Sequence, residues 1–200
     1  MSRTTPRDLA LVAMFAALVA VLGMPGGISF FGSVPITAQT LGFMLAGAIL
    51  GARLGALSVI VFDLLLAAGL PIGAGGHGGL AVLTGPTGGY LIGAIPGVFL
   101  TGLLVQRFGR RNAVAVALAC VVGCMGVVYL VGIPWSAWRL DSGLLGVAQS
   151  AVQFLPGDLA KCVIAALVTT TVVRAYPPIE TIGTDRDATA DREHERVDAA

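Results

Sequence analysis

"FLPGDLAKCVIAALVTTTVVRAY", residues 154–176, decides how the rest of the chain is read. From Leu159 onward it is almost uninterrupted hydrocarbon, close to the roughly 20 apolar residues that a helix needs to cross a bilayer. Yet Asp158 and Lys161 stand in its first turn. A spacing of three puts them on one side of a helix. An ionisable group inside a span costs up to about 3 kcal/mol, and such groups mostly line a functional path. The bland alternative has its own physics. Pro156-Gly157-Asp158 is a sensible helix start with Asp158 as N-cap. Lys161 then pairs with the cap or reaches to the interface with its long stem.

The composition around this stretch points the same way. Of 200 residues, 56% are hydrophobic and 12% charged, half the charge of an ordinary soluble domain at about 25%. Residues 1–179 carry nine basic and four acidic side chains; the tail from Glu180 carries three and seven. The body therefore reads as an integral membrane domain over 1–179, and 180–200 as a charged tail with too few apolar residues to fold, expected to be disordered. The run "LALVAMFAALVAVLGM" after Arg3 and Arg7 has no A-x-A cleavage pattern and is expected to be a retained first helix. Cys120, Cys124 and Cys162 all lie in apolar segments and read as small buried hydrophobes.

Hydropathy and breakers give six spans: 8–24, 35–52, 54–70, 88–108, 112–133 (ending at Pro134) and 158–176. Residues 143–154 are apolar but too short to cross, and are expected to form a partial helix broken at Pro156-Gly157. The arginines orient the chain. Arg3, Arg7, Arg53, Arg107, Arg110, Arg111 and Arg174 fall on one side of a six-span arrangement, and Arg139 alone on the other. The expected fold is an all-α integral membrane protein of six transmembrane helices with both termini cytoplasmic, in a multi-pass plasma-membrane setting among lipids.

The outer connections are unusual. "PGGISFFGSVPITAQT", residues 25–40, has no charge. "PIGAGGHGGLAVLTGPTGGY", residues 71–90, has no Lys, Arg, Asp or Glu. Loops this neutral and glycine-rich suit folding over a small ligand, because glycine lets the backbone approach closely. They converge with Asp158 and Lys161 on the outer face. Asp63 is a second acid inside a span, read as a hydrogen-bonded structural group or a proton-relay carboxylate. His77 has no neighbours at metal-ligand spacing. Ala13/Ala17 and Ala16/Ala20 are small residues four apart on the first helix, suited to internal packing or to docking on another membrane protein. No Walker motif, nucleophile elbow, H-E-x-x-H or catalytic acid pair occurs, which excludes ATP hydrolysis and argues against an enzyme. Nothing points to nucleic acid.

"VPITAQTLGFMLAGAILGARLGALSV", "GLPIGAGGHGG", "GPTGGYLIG" and "FLPGDLAK", in that order, resemble the BioY family, the biotin-specific S components of energy-coupling factor (ECF) transporters. The resemblance runs over about residues 9–175. It implies six helices, an outward-facing site for biotin as transported ligand, no cofactor, and delivery to a transmembrane coupling subunit with two ATPase subunits in a prokaryotic cell membrane. Carried over by position, the "PGD--K" pair falls on Asp158 and Lys161. The glycine-rich loop falls on 75–79, with Gly76, His77 and Gly78. The "GPTGGY" turn falls on 85–90, with Thr87, Gly88, Gly89 and Tyr90. Gln39 of "PIT-Q-T" joins this substrate-binding set, and the partner-docking alanines fall on Ala13 and Ala17. Asp63, Gly73 and His77 depart from the family pattern. An S component for another vitamin, or a membrane anchor with no ligand, stands as the alternative.

Overall fold

A computed structural model describes residues 5–25 and 37–176, and among them every regular element is helical. The expected start of the second segment at Pro35 and the whole tail from Glu180 lie outside the described residues.

Helix α1 (Pro6–Gly23) opens with a reciprocal cap. The Thr5 hydroxyl accepts from the Asp8 amide, and the Asp8 carboxylate accepts from the Thr5 amide at 3.0 Å. Pro6 supplies the first helical position, where a missing N–H costs nothing. Helix α2 (Gln39–Leu45) widens without a break into a π-helical segment, Ala46–Leu50. Gly51, at φ +84°, makes the turn into α3 (Ala52–Ala67). A Cβ there would be strained and would meet the Gln106 and Arg110 side chains. A 3-10 turn (Ala74–Gly76) and the short helix α4 (Leu80–Thr84) lead to α5 (Gly88–Phe108). Helix α6 (Ala113–Cys120) passes through a second π segment, Val121–Val127, into α7 (Val128–Arg139). Helix α8 (Leu144–Ala151) runs through a 3-10 turn, Val152–Phe154, into α9 (Leu155–Ala175).

Four continuous helical stretches are long and apolar enough to cross a bilayer: Pro6–Gly23, Gly88–Phe108, Ala113–Arg139 and Leu144–Ala175. Gln39–Leu50 and Ala52–Ala67 are shorter than the sequence suggested. At 1.5 Å per residue they reach only about 18 and 24 Å.

Helix α5 is the axis. It is packed by α3, by both π segments and by α7. Glycines make this closeness possible. A Cβ at Gly97 would press on the Gly123 carbonyl at 3.1 Å, and one at Gly102 would collide with the backbone of Gly51 and Ala52. Thr101, fully buried between the π segments, donates to Gly97 O at 2.9 Å and lies 3.3 Å from Ala119 O.

Two expected breaks are corrected. The helix expected to stop at Pro134 continues to Arg139. The break expected at Pro156-Gly157 is a change of helical type instead. Pro156 lies in the first turn of α9, where no carbonyl awaits its N–H, so the ring is tolerated.

Candidate functional site

Asp158 is not a cap. The N-cap position of α9 is Phe154, and Asp158 lies inside the helix with its carboxylate directed at other elements. Its Oδ1 accepts from Lys161 Nζ at 2.9 Å and from the Thr40 hydroxyl at 3.1 Å. Its Oδ2 accepts from the Tyr129 hydroxyl at 2.6 Å. Lys161 is equally engaged. Its ammonium also donates to Thr37 O at 2.6 Å and to Thr40 Oγ1 at 2.9 Å. Three helices, α2, α7 and α9, thus meet at one ion pair. The three protons of the ammonium each have an acceptor, and the two charges cancel. The pair is mostly buried, with the Lys161 side chain 14% exposed. That closure answers the cost of charge in an apolar stretch: burial is tolerable when every charge is paired and hydrogen-bonded.

The pair forms the polar end of a cavity of about 720 Å³, solvent at its mouth included. Phe43, Val82, Leu91, Val128 and Phe154 supply apolar walls, with Tyr90 beside them. The Tyr90 ring meets Phe154 edge-to-face, centroids 6.5 Å apart. Gly132 admits it, since a Cβ at 132 would run into the ring. Gln39 also lines the cavity. It is 5% exposed, lies against Gly23, and its Nε2 has no hydrogen-bond partner among the described residues.

Of the residues taken from the sequence, Asp158, Lys161, Tyr90, Thr87 and Gln39 come together around this cavity. Gly76, His77, Gly78, Gly88 and Gly89 do not line it. The 71–79 loop contributes Gly73 and Ala74 instead. His77 is exposed and turned back on its own loop, with Nδ1 2.8 Å from Ala74 O and its carbonyl accepting from Gly73 N at 2.8 Å. A Cβ at Gly78 would strike the Leu70 carbonyl, at Gly88 the Leu83 carbonyl and at Gly89 the Trp135 side chain. These glycines let the protein approach itself. The 85–90 turn is held from α7, where Trp135 Nε1 donates to Gly85 O at 2.9 Å and Ser136 Oγ to Pro86 O at 2.6 Å.

Reading the sequence missed Tyr129, Thr37 and Thr40 as parts of the network. The polar spacing of "TAQT" was the available signal for the threonines. Tyr129 gave none beyond a hydroxyl within an apolar span. Ala13 and Ala17 lie away from the cavity on the exposed side of α1, whereas Ala16 and Ala20 are buried. Asp63 is 8% exposed, and neither carboxylate oxygen has a hydrogen-bond partner among the described residues, contrary to the hydrogen-bonded reading. No grouping of His, Cys, Asp and Glu suited to a metal ion occurs among the described residues.

A sequence model of the BioY family matches residues 1–178. The chain belongs to the BioY family. The biotin transporter BioY of Rhizobium etli is 44% identical over 178 residues, covering 86% of this BioY chain and 95% of the relative. That of Rhodobacter capsulatus is 41% identical over 182 residues, with the same coverage of both chains. In three dimensions, this BioY protein resembles a crystal structure of the S-component for biotin from an ECF-type ABC transporter. The TM-score is 0.80 at 31% identity, covering 84% of this chain and 91% of that one. Membership of a membrane transporter family agrees with four bilayer-length apolar helices.

Proposed function

We propose that this BioY protein is a membrane substrate-capture subunit that binds biotin from outside and hands it on for uptake. The observation that carries the reading is the closed Asp158–Lys161 network at the polar end of an otherwise apolar cavity. Biotin has complementary chemistry: a ureido ring with two N–H donors, an apolar thiophane body, and a carboxylate on a flexible tail. A ring N–H suits the remaining acceptor of the Asp158 carboxylate. The thiophane suits the Tyr90, Phe43 and Phe154 walls. Gly76, His77, Gly78, Gly88 and Gly89 act in this reading as the frame that sets Ala74 and Thr87 at the cavity edge.

The same reading gives six membrane passages with both termini cytoplasmic in a prokaryotic plasma membrane, supported by the one-sided arginines. Residues 1–179 are the binding domain and 180–200 a dispensable tail. The partners are an ECF transmembrane coupling subunit and two ATPase subunits, with the exposed Ala13 and Ala17 as the docking face.

The test is calorimetry on purified protein with biotin and with a panel of other vitamins. Biotin binds, and the others do not. Asp158→Asn weakens binding roughly 10- to 150-fold, the worth of one charge-assisted hydrogen bond. A folded wild type with no affinity for biotin overturns the reading, and preference for another vitamin replaces it.

A further inference from the structure

Neither the family match nor the relatives' names give Tyr129 a part. It is the second residue of α7, just after the π segment Val121–Val127, and reaches across to α9. Its bond to Asp158 Oδ2, at 2.6 Å, is shorter than the ion pair itself at 2.9 Å. We propose that Tyr129 is a positioning and specificity-determining residue of the biotin site: its hydroxyl fixes the plane of the Asp158 carboxylate and leaves one acceptor on Oδ2 for a ligand N–H.

The argument is a count of donors and acceptors. A carboxylate offers about four lone-pair positions. Lys161 and Thr40 fill those on Oδ1, and Tyr129 fills one on Oδ2. One remains. The protons nearby are already committed: three of Lys161, one of Thr40 and one of Tyr129. The polar end therefore presents acceptors and asks the ligand for donors, as a ureido ring supplies and an ionised carboxylate does not. The torsion between Cβ and the carboxylate carbon is broad and roughly two-fold. Bonds to Oδ1 alone leave Oδ2 free to swing about it. The Tyr129 bond, made from a different helix, removes that freedom before the ligand arrives. A ligand lacking the N–H then leaves a buried acceptor unmet, which is how a polar site rejects a near-isostere.

The π segment places this tyrosine. One residue beyond the regular repeat turns everything after it by about 100° around the helix. Tyr129 is thereby brought onto the cavity, next to Val128.

This role rests on biotin being the ligand, and the experiment separates the two. Biotin affinity is measured by calorimetry for the wild type, Tyr129→Phe, Asp158→Asn and the double variant, each checked by size exclusion and helicity. A biotin analogue alkylated on a ureido nitrogen is titrated alongside. The expected result for Y129F is a loss of roughly tenfold in affinity for biotin, the lower end for a hydrogen bond to a charged group. Discrimination against the alkylated analogue shrinks with it, and the loss disappears in the Asp158→Asn background. Wild-type affinity in folded Y129F overturns the proposal. So does an equal loss in both backgrounds, which makes Tyr129 an apolar wall. A Y129F chain that does not fold assigns the hydroxyl to the fold and equally overturns it. A wild type blind to biotin refutes the proposed function itself, and the positioning role falls with it.

Discussion

Lys161→Met removes the ammonium and keeps most of the stem. Three hydrogen bonds go with it, to Thr37 O, Thr40 Oγ1 and Asp158 Oδ1. Asp158 keeps Tyr129 and Thr40 but loses its counter-charge. Breaking one partner out of a buried pair costs about 3–5 kcal/mol, because the remaining charge is stranded. The Lys161 side chain is 14% exposed, so some water reaches the pair and the lower end applies, about 3 kcal/mol. For a chain of this size, 1 kcal/mol corresponds to about 2–4 °C in Tm, giving a fall of about 6–12 °C. Removing both charges, with Asp158→Leu added, recovers part of the loss, since nothing charged is left unpaired. The assay is thermal unfolding in detergent followed by circular dichroism at one fixed scan rate. A Tm within a degree or two of wild type for the single variant would refute the reasoning. So would a double variant whose loss is the plain sum of the two singles.

Asp63→Leu raises thermal stability by about 1–3 kcal/mol, the cost of burying a polar group with no partner; an unchanged or lower Tm in the same scan shows that the carboxyl has a partner. Ala13→Trp weakens assembly with the coupling subunit in a pull-down while leaving biotin binding by the isolated protein near normal, because a bulky side chain on α1's exposed side holds a partner helix away. A single cysteine at Gly143, in the α7–α8 connection, is labelled from outside the cell by an impermeant maleimide, and one at Ser2 is not. The reverse pattern contradicts the six-passage orientation. A chain ending at Pro178 binds biotin as the full chain does, and a clear drop in affinity would mean that the tail folds against the body.

Much of the site was readable because charge in hydrocarbon is conspicuous. Asp158 and Lys161 stood out from their apolar surroundings, and the helical spacing of three put them together, as the 2.9 Å pair bears out. What pinned them was not readable. Tyr129 is one hydroxyl among apolar residues, and its direction depends on a π segment that periodicity cannot reveal, since the phase changes at the very place where it would be measured. The two prolines misled differently. Pro156 sits in the first turn of α9, where no carbonyl four residues earlier needs its N–H, whereas Pro134 lies inside α7, which runs on to Arg139 despite the lost bond. The glycines showed that the backbone must come close to something. Sequence could not say whether that was ligand or protein, and at Gly78, Gly88 and Gly89 it is protein.

The hydrogen bonds that join α2 and the preceding Thr37 to α9 span 118 to 124 positions of chain. Contacts this far apart in sequence form late, after loop closure has been met elsewhere. During synthesis the chain emerges N-terminus first. The segments from α2 to α7 are therefore synthesised before the helix bearing both charges has left the ribosome. Until α9 arrives, Thr40 and the Tyr129 hydroxyl lack the carboxylate they bond, and the cavity is an unfinished cleft with no means of holding a polar ring. Binding competence appears in one step, with the last helix. A nascent chain stalled before Leu155 carries all of the wall-forming residues but neither charge.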